Sequence, residues 1–239
     1  MATFVLIHGA GDSAWYWHLV EPVLREHDHD VVSMDLPCED DSAGLPEYAR
    51  AVVDAVGGRT DLVLVAQSFG GFTAPLVCDR LAVDVLVFVA GMIPVPGEAP
   101  NDYWTNTRWA ASQPQEQELD GQSDGEDSTV ATFYHDVPPE LAAEAMRRER
   151  RQSVARMDEP IALDSWPDVP TRFLLCRDDR LFPAPWIRRV ANDRLGISPD
   201  EIDGGHCVAL SRPRELAHGL EGYWLELHRP QRSRPRTST

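Results

Sequence analysis

Asp61-Leu-Val-Leu-Val-Ala-Gln-Ser-Phe-Gly-Gly-Phe72 is the stretch on which the fold turns. Leu62 to Ala66 form a short apolar run, of the kind a parallel sheet buries on both faces. From Phe69 to Leu81 the spacing predicts a helix, after a turn too short for an ordinary loop. Ser68 sits on that turn. A strand that reverses into a helix so abruptly crowds the backbone on both sides of the turn residue. Ala66 and Gly70, two before and two after, are small enough to relieve the crowding, and Gly71 lets the helix lie close to the sheet. This is the nucleophile-elbow pattern G-x-S-x-G, with Ala66 at the first glycine. Such a turn lifts the Ser68 hydroxyl clear of the sheet and points the Phe69 backbone N–H beside it. It sets both at the positive end of a helix.

Outward from the elbow, strands and helices alternate. Strands are expected at Thr3 to His8, Asp30 to Leu36, Asp84 to Ala90, Thr171 to Arg177 and, more weakly, Glu201 to Asp203. Helices are expected at Ala14 to Arg25, Leu45 to Val56, Pro185 to Leu195 and Pro213 to His228. This rhythm implies parallel pairing through right-handed crossovers, hence a doubly wound sheet whose chemistry gathers at the carboxyl ends of its strands. From Met92 to Asp168 the rhythm breaks. That segment carries an acidic stretch, Pro114 to Ser128, that reads as mobile, and a helix, Pro139 to Ser153. Its aromatics, Trp104, Trp109, Phe133 and Tyr134, predict that much of it packs. It is read as an inserted cap (92–168) over a core of residues 1–91 and 169–228. Residues 229–239 are read as a flexible tail.

The length of 239 residues suits one α/β domain with an insertion. The 22 basic residues, all Arg, face 39 acidic ones, a net charge of −17. That balance speaks against nucleic acid and anionic membrane surfaces as partners. With no Lys, Schiff-base chemistry, pyridoxal phosphate anchoring and a Walker-type phosphate site are excluded. Cys38, Cys78, Cys176 and Cys207 are not spaced as metal pairs, and they read as the reduced thiols of a cytoplasmic protein. No targeting run or membrane-length apolar segment is expected.

Serine is a poor nucleophile at neutral pH, so Ser68 needs a base within hydrogen-bond reach and a carboxylate to steady that base. Asp178 and Asp179 follow the fifth strand, and His206 follows Gly204-Gly205 after the sixth. Asp179 is favoured as the acid because Pro183, four residues on, suits a turn into the next helix; Asp35 is a weaker rival. The order Ser, Asp, His is that of a hydrolase triad. The oxyanion hole needs two N–H donors. Phe69 supplies one, and Ala10, in the loop His8-Gly-Ala-Gly11, supplies the other. His8 itself is given a structural role.

The runs F-V-L-I-H-G-A-G-D-S-A-W-Y-W (Phe4 to Trp17), A-Q-S-F-G-G (Ala66 to Gly71), C-R-D-D-R-L-F-P (Cys176 to Pro183) and G-G-H (Gly204 to His206) resemble the α/β-hydrolase superfamily. The resemblance covers nearly the full chain. It is nearest to small, short-capped members: the plant methylesterase and hydroxynitrile lyase group and related bacterial esterases. It implies a mostly parallel six-stranded sheet that starts without the leading antiparallel hairpin. Dehalogenases and epoxide hydrolases of this fold carry Asp where this chain has Ser68. The plant lyases carry Lys just after the catalytic histidine and Thr after the strand-end histidine; here these are Cys207 and Gly9.

The resulting expectation is a serine hydrolase of small or medium carboxylic esters, lactones or thioesters, working through an acyl-enzyme on Ser68. It needs no cofactor and no metal, takes a small-molecule substrate, touches no membrane and is a monomer or homodimer. Trp104 and Trp109 of the cap are expected against the substrate. The alternatives are a binding or signalling protein on the same scaffold, and lyase or carbon–carbon hydrolase chemistry.

Overall fold

A computed structural model describes residues 1–113 and 126–228. Its strands are β1 (Thr3–Ile7), β2 (Asp30–Ser33), β3 (Leu62–Gln67), β4 (Val83–Val89), β5 (Thr171–Cys176) and β6 (Asp200–Ile202). They form one six-stranded sheet in the order β2-β1-β3-β4-β5-β6, and every pairing is parallel. The helices are α1 (Val20–Glu26), α2 (Leu45–Val56), α3 (Gly70–Cys78), α4 (Pro100–Asn106), α5 (Glu126–Phe133), α6 (Pro139–Arg148), α7 (Ala184–Leu195), α8 (Val208–Ser211) and α9 (Pro213–Leu227).

Alternate strand residues feed opposite faces. Val5, Ile7, Leu62, Leu64, Leu86 and Phe88 pack with α2, α3 and α7. Phe4, Leu6, Val63, Val65, Val85 and Val87 pack with α1 and α9. The chain leaves β1 for the edge strand β2 and returns past β1 to β3. The carboxyl ends of β1 and β3 therefore flank the point where the winding reverses, the crevice in which open α/β sheets place their ligands.

Several boundaries depart from expectation. Ala14 to Arg25 is not one helix: a 3-10 turn covers Ala14–Trp17 and α1 starts at Val20. Pro22 is the reason. It sits in the first turn of α1, where its missing N–H is harmless, whereas a helix begun at Ala14 would hold it in the interior. β2 ends at Ser33, because Leu36 turns back to donate its N–H to His8. α6 ends at Arg148, and the chain beyond it is tied across the sheet edge. Arg150 N–H donates to the Gly11 carbonyl and Ser153 N–H to that of Cys38, each at 2.7 Å. Among the described residues between Met92 and Asp168 three helices stand, α4, α5 and α6, where the sequence pattern predicts one. The acidic stretch up to residue 125, and the tail from Arg229 to Thr239, lie outside the described residues. No helix among the described residues is long and apolar enough to cross a membrane.

His8 bolts the end of β1 to the chain leaving β2. It is fully buried, donates Nδ1–H to the Gly9 carbonyl at 2.7 Å and accepts the Leu36 N–H on Nε2 at 3.0 Å. Burial pushes its pKa from 6.5 to about 4. The unfolded chain takes up this proton first as pH falls, so His8 withdraws stability between pH 6.5 and 4, by about 3 kcal/mol when complete. Asp12 acts in the opposite sense. Burial raises its pKa from 3.8 to about 6, so the native state takes up that proton first and gains stability over the lower part of the same window. Replacing Asp12 by Asn should therefore steepen the acid loss of stability in urea unfolding followed from neutral pH to pH 4. Equal slopes in the two proteins would contradict this account.

Candidate active site

Ser68 holds a left-handed backbone, φ +49°, between β3 and α3. For a residue with a side chain this conformation costs about 1–3 kcal/mol, and it persists only where the surroundings impose it. Here the Ser68 carbonyl accepts the N–H groups of Gly71 at 3.1 Å and Met92 at 2.9 Å. The glycines after it are required by contact. A Cβ on Gly70 would stand 2.7 Å from the His8 carbonyl oxygen, and one on Gly71 only 1.9 Å from that of Met92. Across the crevice, a Cβ on Gly9 would meet Gln67 Oε1 at 2.5 Å and Ser68 Cβ at 3.0 Å. The two loops touch because all three residues lack side chains.

Ser68 Oγ lies 3.0 Å from His206 Nε2, and His206 Nδ1–H donates to Asp179 Oδ2 at 2.8 Å. Asp179 Oδ1 accepts two backbone N–H groups, from Leu181 at 2.9 Å and Phe182 at 2.8 Å. His206 and Asp179 are both buried. Phe182 and Phe133 stand edge-on to the imidazole, with centroids 5.0 and 5.5 Å away, and shield it from water. Asp178 faces elsewhere: its carboxylate accepts the Gly204 N–H at 3.3 Å. Asp35 accepts the Ala14 N–H at 2.8 Å and takes no part.

Ala10 and Phe69 line the same cavity as Ser68 and His206. Among the described residues neither backbone N–H meets an intramolecular acceptor. The cavity holds about 540 Å³. Trp104 forms part of its wall. Trp109 does not line it: the indole N–H donates to the Leu181 carbonyl at 2.8 Å, and the ring packs behind Trp104 with centroids 5.1 Å apart. Its aromatic character announced burial, which a supporting position satisfies as well as a substrate contact.

Three contributors went unread in the sequence. Gln67 Nε2 donates to the His206 carbonyl at 3.3 Å. Asp136 Oδ2 accepts the Gly205 N–H at 2.9 Å, and His135 Nε2–H donates to the Asp178 carbonyl at 3.0 Å. The pair 135–136 thus clamps the acid loop and the histidine loop together. A Cβ on Gly205 would stand 2.7 Å from both side chains, so that glycine is fixed by the clamp. Gln67 was findable, since it immediately precedes Ser68. Nothing local in H-D-V-P-P links residues 135–136 to a loop seventy positions on.

The model of the alpha/beta hydrolase family matches residues 4–218. The chain belongs to that family. Among curated proteins it is 23% identical to "Norfluorocurarine synthase 1" of Strychnos over 250 residues, covering 91% of this chain and 93% of the other. It is 26% identical to "Probable esterase PIR7A" of Oryza sativa subsp. indica, covering 89% and 93%. Among solved structures, polyneuridine aldehyde esterase superposes with a TM-score of 0.78 at 21% identity, covering 93% of this chain and 99% of that one. That likeness shows the α/β-hydrolase fold.

The elbow geometry predicts a sharp contrast between glycines. Gly71→Ala should lose about 3 kcal/mol or more by overpacking against Met92. Gly58→Ala, where a Cβ meets nothing within 4 Å, should change stability by less than about 0.5 kcal/mol. Thermal and urea unfolding of the two variants measure the difference; similar losses would overturn the reading.

Proposed function

We propose that this chain is a serine hydrolase of small or medium carboxylic esters. The observation that carries the proposal is the continuous hydrogen-bonded line from Ser68 Oγ through His206 to Asp179, at 3.0 and 2.8 Å, beside the N–H groups of Phe69 and Ala10, which meet no acceptor among the described residues. Ser68 Oγ attacks the ester carbonyl carbon while its proton passes to His206 Nε2. The two N–H groups hold the oxyanion, and Asp179 keeps the imidazole in the acceptor tautomer and stabilises its cation. As the intermediate collapses, the bond to the alcohol oxygen breaks and His206 returns its proton to that oxygen. Water then attacks the acyl-Ser68 ester in the same way, releasing the acid and restoring the hydroxyl.

The relatives named as esterases support this class of reaction. Cyanohydrin cleavage is less well supported. The chain has no Lys to follow His206, where the neutral, buried Cys207 thiol stands instead, and Gly9 leaves no room for a side chain. We read residues 92–168 as the cap that shapes the substrate space, with Trp104 in its wall. The four free thiols support a cytoplasmic setting.

The test is steady-state hydrolysis of p-nitrophenyl esters of increasing acyl length. The wild type should turn over repeatedly, and kcat/KM should fall by about a thousandfold or more in Ser68→Ala and in Asp179→Asn. Undiminished hydrolysis by either variant would refute the assignment.

A further inference from the structure

Ala10 stands between two glycines, so its own loop does little to fix which way its N–H points. Hydrogen bonds at the flanking glycines do so instead. The Gly9 carbonyl accepts His8 Nδ1–H at 2.7 Å. The peptide is trans, with N–H opposite C=O, so this bond turns the Ala10 N–H away from the buried His8. On the other side, Gly11 donates its N–H to Gln152 Oε1 at 3.1 Å, and its carbonyl accepts the Arg150 N–H at 2.7 Å. Gly11 holds φ +65°, and a Cβ there would stand 2.8 Å from the Arg150 carbonyl oxygen. Only glycine fits where the loop meets residues 150–152.

The Gln152 amide is held in its turn. Nε2 donates to the Tyr48 hydroxyl of α2 at 2.9 Å and to the Ser153 carbonyl at 3.1 Å. The Gly11 N–H can only donate, and the Ser153 carbonyl can only accept. That fixes the amide oxygen toward Gly11 and the nitrogen toward Tyr48 and Ser153. Gln152 thus bridges α2 to the loop after β1, 141 positions away in sequence. It is half-buried and is not among the residues that line the cavity.

We propose that Gln152 is a positioning residue for the second oxyanion donor: by holding the Gly11 N–H, it keeps the Ala10 N–H aimed into the cavity. The proposal rests on the ester-hydrolase reading, which gives Ala10 that role. Without the amide, the Gly11 end of the loop keeps only the bond from the Arg150 N–H, and Ala10 turns on its glycine neighbours. An oxyanion donor acts on charge that develops in the transition state, so its displacement costs turnover while ground-state binding is kept.

The experiment compares the full wild-type chain with Gln152→Met, which keeps the side chain's length and loses its amide. With p-nitrophenyl esters kcat/KM should fall about tenfold or more. In the Ser68→Ala background, where the ester binds without turnover, adding Gln152→Met should leave its calorimetric dissociation constant within about twofold. An alkyl trifluoromethyl ketone probes the donor itself. Ser68 Oγ bonds to its carbonyl carbon, the C=O π pair becomes the oxyanion and the proton passes to His206. Its inhibition constant should rise in step with the loss of kcat/KM. Tyr48→Phe, which releases one end of the amide, should lower kcat/KM by about threefold and add nothing to Gln152→Met. Urea unfolding shows whether each variant folds; if Gln152→Met does not, unchanged turnover in Tyr48→Phe overturns the proposal. So does turnover by folded Gln152→Met within about twofold of wild type, or an ester affinity that falls as far as turnover does. Hydrolysis lost in Ser68→Ala but kept in Gln152→Met removes this inference alone and leaves the ester reading standing. No ester hydrolysis by wild type removes both.

Discussion

The left-handed turn at Ser68 is the constraint on which the rest of the structure depends. A serine with φ +49° is held only because β3 is locked between β1 and β4, and because α3 begins where no side chain intervenes. The Ser68 carbonyl is fixed by Gly71 and Met92, so the hydroxyl has no route back toward the sheet. Two apolar layers, one on each face, hold the strands that set this geometry. Strain of about 1–3 kcal/mol at one residue is small against that burial.

The loops at the carboxyl edge complete what the elbow starts. β5 delivers Asp179, whose one oxygen is anchored by its own turn and whose other oxygen orients His206. The segment between β4 and β5 contributes more than a cover. Phe133 shields the imidazole, residues 135 and 136 clamp the two loops that carry Asp179 and His206, and Glu149 and Arg150 line the cavity. Positioning and shielding thus come from the segment between β4 and β5, while Ser68, Asp179 and His206 stand at the carboxyl ends of sheet strands.

What was legible in the sequence is what local pattern encodes. The apolar run at Leu62, the small residues around Ser68, and the spacing of Asp179 to Pro183 each carry their geometry within a few positions, and the structure realises them within a residue or two. The failures have tertiary causes. Trp and Tyr between β4 and β5 signal burial without saying against what, so the sequence points to Trp109 as a substrate contact, whereas its indole N–H donates to the Leu181 carbonyl. The stretch Ala14 to Arg25 had helical spacing throughout, and Pro22 vetoed the continuous helix. The sequence pattern carries β2 past Ser33, because its end is set by a hydrogen bond from Leu36 to His8, twenty-eight residues away. Asp136 and His135 were invisible for the same reason: the loops they clamp are remote in sequence.

The central claim is that this turn, with His206 and Asp179 behind it, makes one hydroxyl of the chain nucleophilic. Intact-mass spectrometry after brief exposure to a fluorophosphonate tests it most directly. The account predicts a single adduct on the folded protein, mapped to Ser68, absent in Ser68→Ala and formed far more slowly in His206→Ala. No adduct on folded wild-type protein, or an adduct on any other residue, would contradict it.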